Sequence, residues 1–186
     1  MALYGINQIL FGKQHTKTVL WMLVIFFMVP CSCINEEHDD AIEAVQVGDR
    51  LPDFTTIMND SSTVTGKILR ESVSVVMFFH TSCPDCQKTL PHIQQIYDKY
   101  APQGVAFTLI SRGEEDASIA AYWETNGLTL PYSPQTDWHV YEVFAKQRIP
   151  RIYISDPRGV VRYIFTDNPV PTYQELDEAL QATMTL

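Results

Sequence analysis

Basic residues are scarce in this sequence. Its 186 residues include 13 Lys and Arg against 22 Asp and Glu, a formal charge of −9. Nucleic acids and anionic lipids are bound through basic surfaces, so we expect neither as a partner. No segment repeats and none is low in complexity. With 46% hydrophobic residues, the chain is predicted to form a single core and one folded domain.

A long apolar run is also missing. The longest one, residues 19–29, has about half of the roughly 20 residues that a membrane-spanning helix needs. Lys13 and Lys17 precede it without any acidic residue, and the segment Pro-Cys-Ser-Cys follows it. This order of basic, apolar and small residues is typical of an export signal. We therefore predict that residues 1–32 form a signal peptide, with a transmembrane anchor as the alternative.

The end of this leader resembles the signal of bacterial lipoproteins, which are cut before a cysteine that then receives lipid. Ser32 before Cys33 is the small residue that such a cut favours, whereas Pro30 precedes the other candidate, Cys31. We therefore expect lipidation at Cys33, with ordinary secretion as the alternative. The resemblance implies a bacterial cell-envelope protein that is lipid-anchored to a membrane and faces the periplasm or the outer surface. Residues 33–46 are acidic and polar, which predicts a flexible tether.

Cysteines are few as well. The chain has four, and the predicted leader and its cleavage point account for two, which leaves Cys83 and Cys86 in the domain. A bridge across two residues closes almost no loop, so this pair is not a stabilising disulfide scaffold. A structural zinc site needs four ligands, and His80, His92 and His139 have no paired spacing that would complete one. Redox chemistry is therefore the favoured interpretation of the pair.

Strand and helix patterns alternate along the domain. The apolar run at residues 73–79 predicts a strand buried on both faces. The other predicted elements are two short β segments around a turn at 59–62, a helix from Pro84 to near Gly104, a strand at 105–111, helices at 114–127 and 137–147, strands at 151–155 and 160–165, and a last helix capped by Thr172 and Glu175. This order predicts an α/β fold with a mixed central sheet and helices on both faces.

Two side-chain patterns give more detailed expectations. In the helix at 137–147, Val140, Val143 and Phe144 are expected to face the core. The acidic run at residues 114–116 is most simply a helix N-terminus, where carboxylates complement the helix dipole.

The two cysteines lie where the buried strand gives way to the helix. Pro84 suits the first helical turn, which places Cys83 at the helix N-terminus. The free N–H groups and the positive end of the dipole there favour a thiolate. Cys86 follows one turn later and is expected to be less exposed. A thiolate at Cys83 would attack a disulfide, and Cys86 would then attack the mixed disulfide and release the product.

The segment FFHTSCPDCQKTLP resembles the active site of thioredoxin-fold proteins, in which a proline lies five residues after the second cysteine. The segments VGDRLPDF and RIPRIYISDPRGVV are similar to landmarks of the TlpA-like exported thiol–disulfide oxidoreductases, which are related to the AhpC/TSA-type thioredoxin-like domains. The resemblance implies a three-layer thioredoxin-like sandwich over residues 47–186. It also implies that Cys83 is the nucleophile and Cys86 the resolving thiol, that Pro91 kinks the helix, and that Pro150 is a cis proline beside the pair.

The same resemblance implies an enzyme that exchanges disulfides with protein partners through the C-P-D-C dithiol, as a reductase. It implies no cofactor beyond the dithiol. A donor in the membrane would have to reduce the pair again, because an exported compartment has no sufficient soluble thiol pool. Two alternatives stay open: a copper carrier that uses both thiols with His80 or His92, and a peroxiredoxin-like peroxidase, although His80 stands where its peroxidatic loop needs Thr or Ser.

Several positions depart from the family pattern. Met77 and Thr89 stand where the family usually has an acid that accepts the proton of the second cysteine. His80, which titrates near neutrality when unperturbed, and Asp85, inside the motif, are the candidate replacements. The charge of Asp85 is expected to disfavour a neighbouring thiolate and to make the pair more reducing. Arg151 replaces the small residue that commonly follows the cis proline, which is expected to alter substrate choice.

Overall fold

The apolar run after residue 73 forms the centre of the sheet. In the computed structural model, which describes residues 44–186, it is strand β3 (Ser74–Phe79), and all of its residues are buried. The other strands are β1 (Thr55–Ile57), β2 (Thr63–Thr65), β4 (Ala106–Ser111), β5 (Tyr132–Ser133), β6 (Arg151–Ser155) and β7 (Val161–Phe165). The helices are α1 (Gly66–Leu69), α2 (Pro84–Tyr100), α3 (Asp116–Asn126), α4 (His139–Phe144) and α5 (Tyr173–Met184), and a 3-10 turn (Ala101–Gln103) follows α2.

Five of the strands form one mixed sheet in the order β5-β4-β3-β6-β7. Strand β3 pairs in parallel with β4, and β4 pairs in parallel with β5. Strand β6 runs antiparallel to both β3 and β7. The predicted mixed central sheet is therefore confirmed, as is the terminal hairpin that adds antiparallel strands to it. Strands β1 and β2 form a separate antiparallel hairpin around the predicted turn.

Helices pack on both faces of this sheet. Successive residues of a strand point to opposite faces. The ring of Phe79 packs against Trp123 of α3, with the centroids 5.2 Å apart. The neighbouring Phe78 packs on the other face against Tyr141 and Phe144 of α4, at 5.3 and 4.9 Å. The sheet is thus the middle layer of three, as in a thioredoxin-like fold.

Helix α4 is shorter than predicted, and its buried side differs. Tyr141 and Phe144 are buried, whereas Val143 is 40% exposed, so the expectation that Val143 faces the core is wrong. Tyr141 takes the inward position because its hydroxyl, at the end of a buried ring, donates to the carbonyl of Arg148 at 2.7 Å. A buried tyrosine is tolerated where its hydroxyl finds such a partner.

Two short elements were not anticipated from the sequence. Helix α1 has four residues and strand β5 has two, which is too short for a periodic pattern. The capping box predicted for the last helix is present: the Thr172 side chain accepts from the N–H of Glu175, and the Glu175 carboxylate accepts from the N–H of Thr172 at 2.8 Å.

The predictions for the first part of the chain lie outside the described residues. They concern the signal peptide at 1–32, lipidation at Cys33 or Cys31, and most of the tether at 33–46. Where the structure begins, the N–H groups of Ala44 and Val45 both donate to the carbonyl of Phe144 at 3.1 Å, and Val45 is buried. Among residues 44–186, none of the helices combines the length and the apolar character that a membrane crossing requires.

Candidate active site

Cys83 occupies the N-cap of α2, directly after the loop that leaves β3. Its Sγ accepts the N–H of Cys86 at 3.2 Å, so the sulfur itself caps the helix. The N–H of Cys83 donates to the carbonyl of His80 at 3.0 Å. Pro84 fills the first helical position, where no N–H is needed. The predicted position of Cys83 at the helix N-terminus is therefore confirmed.

Cys86 lies one turn further along α2 and is completely buried, as expected. Burial raises the pKa of its thiol well above the ordinary range, because a buried thiolate loses its hydration. The interaction with Cys83 raises this pKa further, and the positive charge of Arg112 acts in the opposite direction. Cys83 is half-buried, and neither of the two cysteines is in a disulfide. The pair therefore combines an accessible sulfur with one that keeps its proton at neutral pH.

The loop before β6 meets the cysteine pair. The Cys83 thiol donates to the carbonyl of Ile149 at 3.5 Å, and the peptide bond from Ile149 to Pro150 is cis. Arg148, which precedes them, has a left-handed backbone (φ 68°), and its carbonyl accepts the hydroxyl of Tyr141. The structure thus places the loop that contains the cis peptide bond of Pro150 beside Cys83, and this bond is cis as the resemblance implies.

The other predicted residues on α2 have local partners. Lys88 pairs with Asp85 at 2.7 Å near the surface, and this contact partly offsets the negative charge of Asp85 beside the cysteines. The hydroxyl of Thr89 donates to the Asp85 carbonyl at 2.8 Å, within the helix. Pro91 lies inside α2, and Nδ1 of His92 is 3.2 Å from the carbonyl of Pro171 at the start of the last segment. Side chains of α2 therefore supply no buried acid to the pair.

A buried acid reaches the site from the segment that follows β4. Glu114 follows β4, and its carboxylate accepts the N–H of Thr81 at 2.9 Å and also the hydroxyl of Thr81. Oε2 of Glu114 lies 3.7 Å from Nδ1 of His80, and the Glu114 side chain is only 5% exposed. Glu114 is thus not part of an exposed helix N-terminus, because α3 begins at Asp116 with Glu115 as its N-cap. That interpretation of the acidic run is wrong for Glu114.

Sequence reasoning missed this acid, although one signal was available. A carboxylate directly after a buried strand lies at the sheet edge where the neighbouring parallel strand also ends. Phe79 is paired with Ser111 in that register, so the segments that follow β3 and β4 leave the sheet side by side.

Arg112 is a second residue that the sequence did not indicate. Its guanidinium lies over the rings of Trp138 and Tyr141, 4.5 and 5.0 Å from their centroids. Its Nε is buried and has no hydrogen-bond partner among residues 44–186. Gly113 lies directly against the Trp138 ring, since a Cβ at this position would be 2.7 Å from the indole nitrogen. The positive charge near Cys86 is therefore held on an aromatic surface.

Two further residues considered from the sequence have local partners. Arg151 is buried, and its Nε donates to the carbonyl of Gln147 at 2.9 Å, so its side chain is part of the interior. His139 is exposed and pairs with Asp137 at 2.8 Å. Across residues 44–186, no three His, Cys, Asp or Glu side chains converge in a geometry suited to a metal ion.

Solved structures share this architecture. A Bacteroides thetaiotaomicron protein described as a protein disulfide isomerase matches with a TM-score of 0.71 at 22% identity, over 78% of this chain and 94% of that one. A thiol:disulfide interchange protein of the thioredoxin family from Chlorobium tepidum matches with a TM-score of 0.64 at 20% identity, over 75% and 98%. The fold is therefore thioredoxin-like.

Sequence comparisons give the family. Thiol-disulfide oxidoreductase ResA of Geobacillus kaustophilus is 27% identical over 125 residues, which are 66% of this chain and 71% of that protein. ResA of Oceanobacillus iheyensis is 24% identical over 147 residues, 77% and 76% of the two chains. The pattern of the AhpC/TSA family matches residues 47–164. The fold and these relatives define a TlpA-like thiol–disulfide oxidoreductase. The chain belongs to the AhpC/TSA family.

Proposed function

We propose that Cys83 and Cys86 are the exchanging dithiol of an exported reductase for protein disulfides. One observation carries this proposal: Sγ of Cys83 lies at the tip of α2 between the N–H of Cys86 and the carbonyl of Ile149. The N–H groups of a helix N-terminus support negative charge on such a sulfur. Cys86 lies one turn away on the same helix, where its sulfur can take part in the second step.

The reaction has two balanced steps. The Cys83 thiolate attacks one sulfur of a partner disulfide, the partner's S–S bond breaks, and the released sulfur takes up a proton. Cys86 then loses its proton and its sulfur attacks Sγ of Cys83. The bond between Cys83 and the partner breaks, and the second partner sulfur is protonated. The partner gains two electrons and two protons, and the enzyme is left with a disulfide between Cys83 and Cys86.

Electrostatics around the pair favour reduction of the partner over its oxidation. A strongly oxidising dithiol is one whose reduced form is stabilised, chiefly as a thiolate. Here Asp85 places a carboxylate in the first turn of α2, directly after Cys83 and Pro84. Its negative charge disfavours a thiolate at Cys83. The reduced form is then less stabilised, and the pair is the stronger reductant.

The loop beside Cys83 supports an extended partner segment, and the need to reduce the pair again after each turnover supports a donor in the membrane. Because the Cys83 sulfur faces the loop at Pro150, an extended segment of the partner protein would lie across that loop. After each turnover a disulfide carrier in the membrane would return two electrons to the pair. The leader at 1–32 supports export, and Cys33 would hold the protein at the membrane through lipid.

Reduction of insulin by the full chain in detergent, with a dithiol as donor, tests the activity. The wild type is expected to accelerate the reduction, and Cys83→Ser and Cys86→Ser to abolish the acceleration. Equilibration with glutathione tests the direction. A reductase is expected to have a potential below about −200 mV, whereas a value near the −120 mV of strong oxidants would contradict this direction. Peroxide consumption without insulin reduction would instead support the peroxidase alternative.

Incorporation of labelled palmitate in the producing bacterium tests the anchor. Label is expected in the wild type and in Cys31→Ala, and not in Cys33→Ala. Label that is retained in Cys33→Ala and lost in Cys31→Ala would show that Cys31, and not Cys33, carries the lipid. The absence of label from the wild type would contradict the anchor.

A further inference from the structure

The segments that follow β3 and β4 meet at one edge of the sheet. The two strands are parallel, and the N–H of Arg112 donates to the carbonyl of Phe79 at 2.9 Å, which continues the pairing beyond the last strand residues. The loop 80–82, which leads to Cys83, therefore lies beside the segment that carries Glu114. The N–H of Glu114 itself donates to the carbonyl of Gln135 at 2.7 Å, which fixes its backbone.

Thr81 is the point at which this loop is held. Its N–H and its hydroxyl both donate to the carboxylate of Glu114, and its carbonyl accepts the side-chain amide of Gln87 on α2 at 2.7 Å. Thr81 is thus fixed between the end of β4 and the active-site helix, two residues before Cys83. A carboxylate that is nearly excluded from water interacts more strongly with nearby charge than an exposed one.

The charged groups around Glu114 do not cancel it fully. Oε2 of Glu114 lies 3.7 Å from Nδ1 of His80, and the same ring nitrogen accepts the N–H of Ser82 at 3.1 Å. The guanidinium of Arg112 lies over the rings of Trp138 and Tyr141. The other titratable groups on the neighbouring elements are Asp85 and Lys88 on α2, Glu115 at the N-cap of α3, and Asp116 and Tyr122 on α3. Asp116 accepts the hydroxyl of Tyr132 at 2.9 Å. The buried carboxylate of Glu114 therefore places negative charge beside the pair.

We propose that Glu114 is a positioning residue of the exchange reaction, which holds the loop before Cys83 through Thr81 and keeps the site negative, so that the dithiol is more reducing. Glu114 brings a buried carboxylate to the loop before Cys83, whereas Met77 and Thr89, on the elements that flank the cysteines, carry no acid. The inference rests on the proposed dithiol exchange at Cys83 and Cys86.

Replacement of Glu114 by glutamine separates charge from shape. In the Glu114→Gln variant the amide oxygen can still accept the N–H of Thr81, but the negative charge is lost. The matched control is Glu115→Gln, which removes the same charge from an exposed neighbour whose side chain makes no capping bond. The reduced full-length proteins are alkylated with iodoacetamide between pH 5 and 10, and the label on Cys83 is followed by mass spectrometry.

In Glu114→Gln, the midpoint of Cys83 alkylation is expected to move to lower pH by about half a unit to one unit. The equilibrium constant with glutathione is expected to change by about three- to tenfold toward the reduced enzyme, with tenfold equal to about 30 mV. Glu115→Gln is expected to match the wild type in both measurements. Glu114→Ala, which also frees Thr81, is expected to slow insulin reduction in addition.

A Glu114→Gln profile and potential that coincide with those of the wild type would overturn the inference, because a purely structural role survives this substitution. Equal shifts in Glu114→Gln and Glu115→Gln would overturn it as well, since they would show only the effect of net charge. A different result would contradict the proposed function itself, namely insulin reduction that is retained in Cys83→Ser or Cys86→Ser.

Discussion

The thiol of Cys83 lies 3.5 Å from the carbonyl oxygen of Ile149, although 66 positions separate the two residues in the chain. This contact joins the tip of α2 to the loop that enters β6. Strands β3 and β6 are hydrogen-bonded neighbours, so the segment after β3 and the segment before β6 meet at the same sheet edge. A partner disulfide that reaches the Cys83 sulfur is therefore expected to lie close to this loop.

The hydroxyl of Tyr141 is expected to set the position of that loop. Tyr141→Phe removes its hydrogen bond to the Arg148 carbonyl and should lower the free energy of unfolding by about 1–2 kcal/mol. Because the loop faces the partner, KM for insulin should rise more than kcat falls. Chemical denaturation and steady-state kinetics measure the two effects. Tyr163→Phe on β7 is the control, and an equal kinetic change in both variants would contradict a specific role for Tyr141.

Asp85 is expected to have a weaker electrostatic effect than Glu114. Its carboxylate is partly exposed and pairs with Lys88, so solvent and the ammonium group both screen its charge. Asp85→Asn should raise the rate of Cys83 alkylation at pH 7 by about twofold, with a small change of potential toward less negative values. Asp98→Asn, further along the same helix, is the control. An unchanged alkylation rate and potential in Asp85→Asn would show that Asp85 does not tune the pair.

The buried thiol of Cys86 should make the stability of the reduced protein depend on alkaline pH. Its pKa is raised on folding by burial, so the folded state holds the proton more tightly than the unfolded state. The resulting stabilisation is complete below the pKa of an unfolded thiol, about 8.5, and is lost as pH rises toward the folded value. Above about pH 9, unfolding free energy should fall by up to about 1.4 kcal/mol per pH unit from this group.

Denaturation of the reduced protein between pH 7 and 10 measures this dependence. The comparison is with Cys86→Ala, which should show a flatter decline whatever its stability at pH 7. The oxidised protein has no free thiol in the pair and should resemble the variant. Parallel declines in the reduced wild type and in Cys86→Ala would contradict the assignment of the effect to Cys86.

Helix α4 provides a test of packing. Phe144 is fully buried between Phe78, Tyr153 and Phe54, so Phe144→Ala should cost about 3–5 kcal/mol of unfolding free energy. The adjacent Val143→Ala should change stability by less than about 0.5 kcal/mol, because the side chain is 40% exposed. Urea titration of both variants checks this difference. A larger loss in Val143→Ala would favour the helix orientation expected from the sequence.

The sequence alone predicts those parts of the site whose residues are close together in the chain. Cys83, Pro84 and Cys86 follow a buried strand and open a helix, and this order alone places the sulfur at the helix N-terminus. Helix α4 was harder, because a helix of six residues shows too little periodicity to decide between Tyr141 and Val143 as the inward residue.

The environment of the pair depends on contacts that are distant in the chain. Met77 and Thr89 stand where the family usually has an acid, and the one signal for Glu114 was its place soon after the buried strand β4. Its contact with Thr81 spans 33 positions and requires the register that sets Phe79 beside Ser111. The contact of Arg112 with the ring of Trp138 likewise joins residues that are distant in the chain.

The most direct test of the central claim is trapping of the mixed disulfide. Cys86→Ala removes the resolving sulfur, so the full-length variant should accumulate a covalent complex with proteins of the cell envelope. Mass spectrometry is expected to place the bond at Cys83, and a reductant should release the partner. The wild type and the double variant Cys83→Ala, Cys86→Ala should accumulate none. Complexes that form equally well in the double variant would contradict the account, because exchange would then not pass through Cys83.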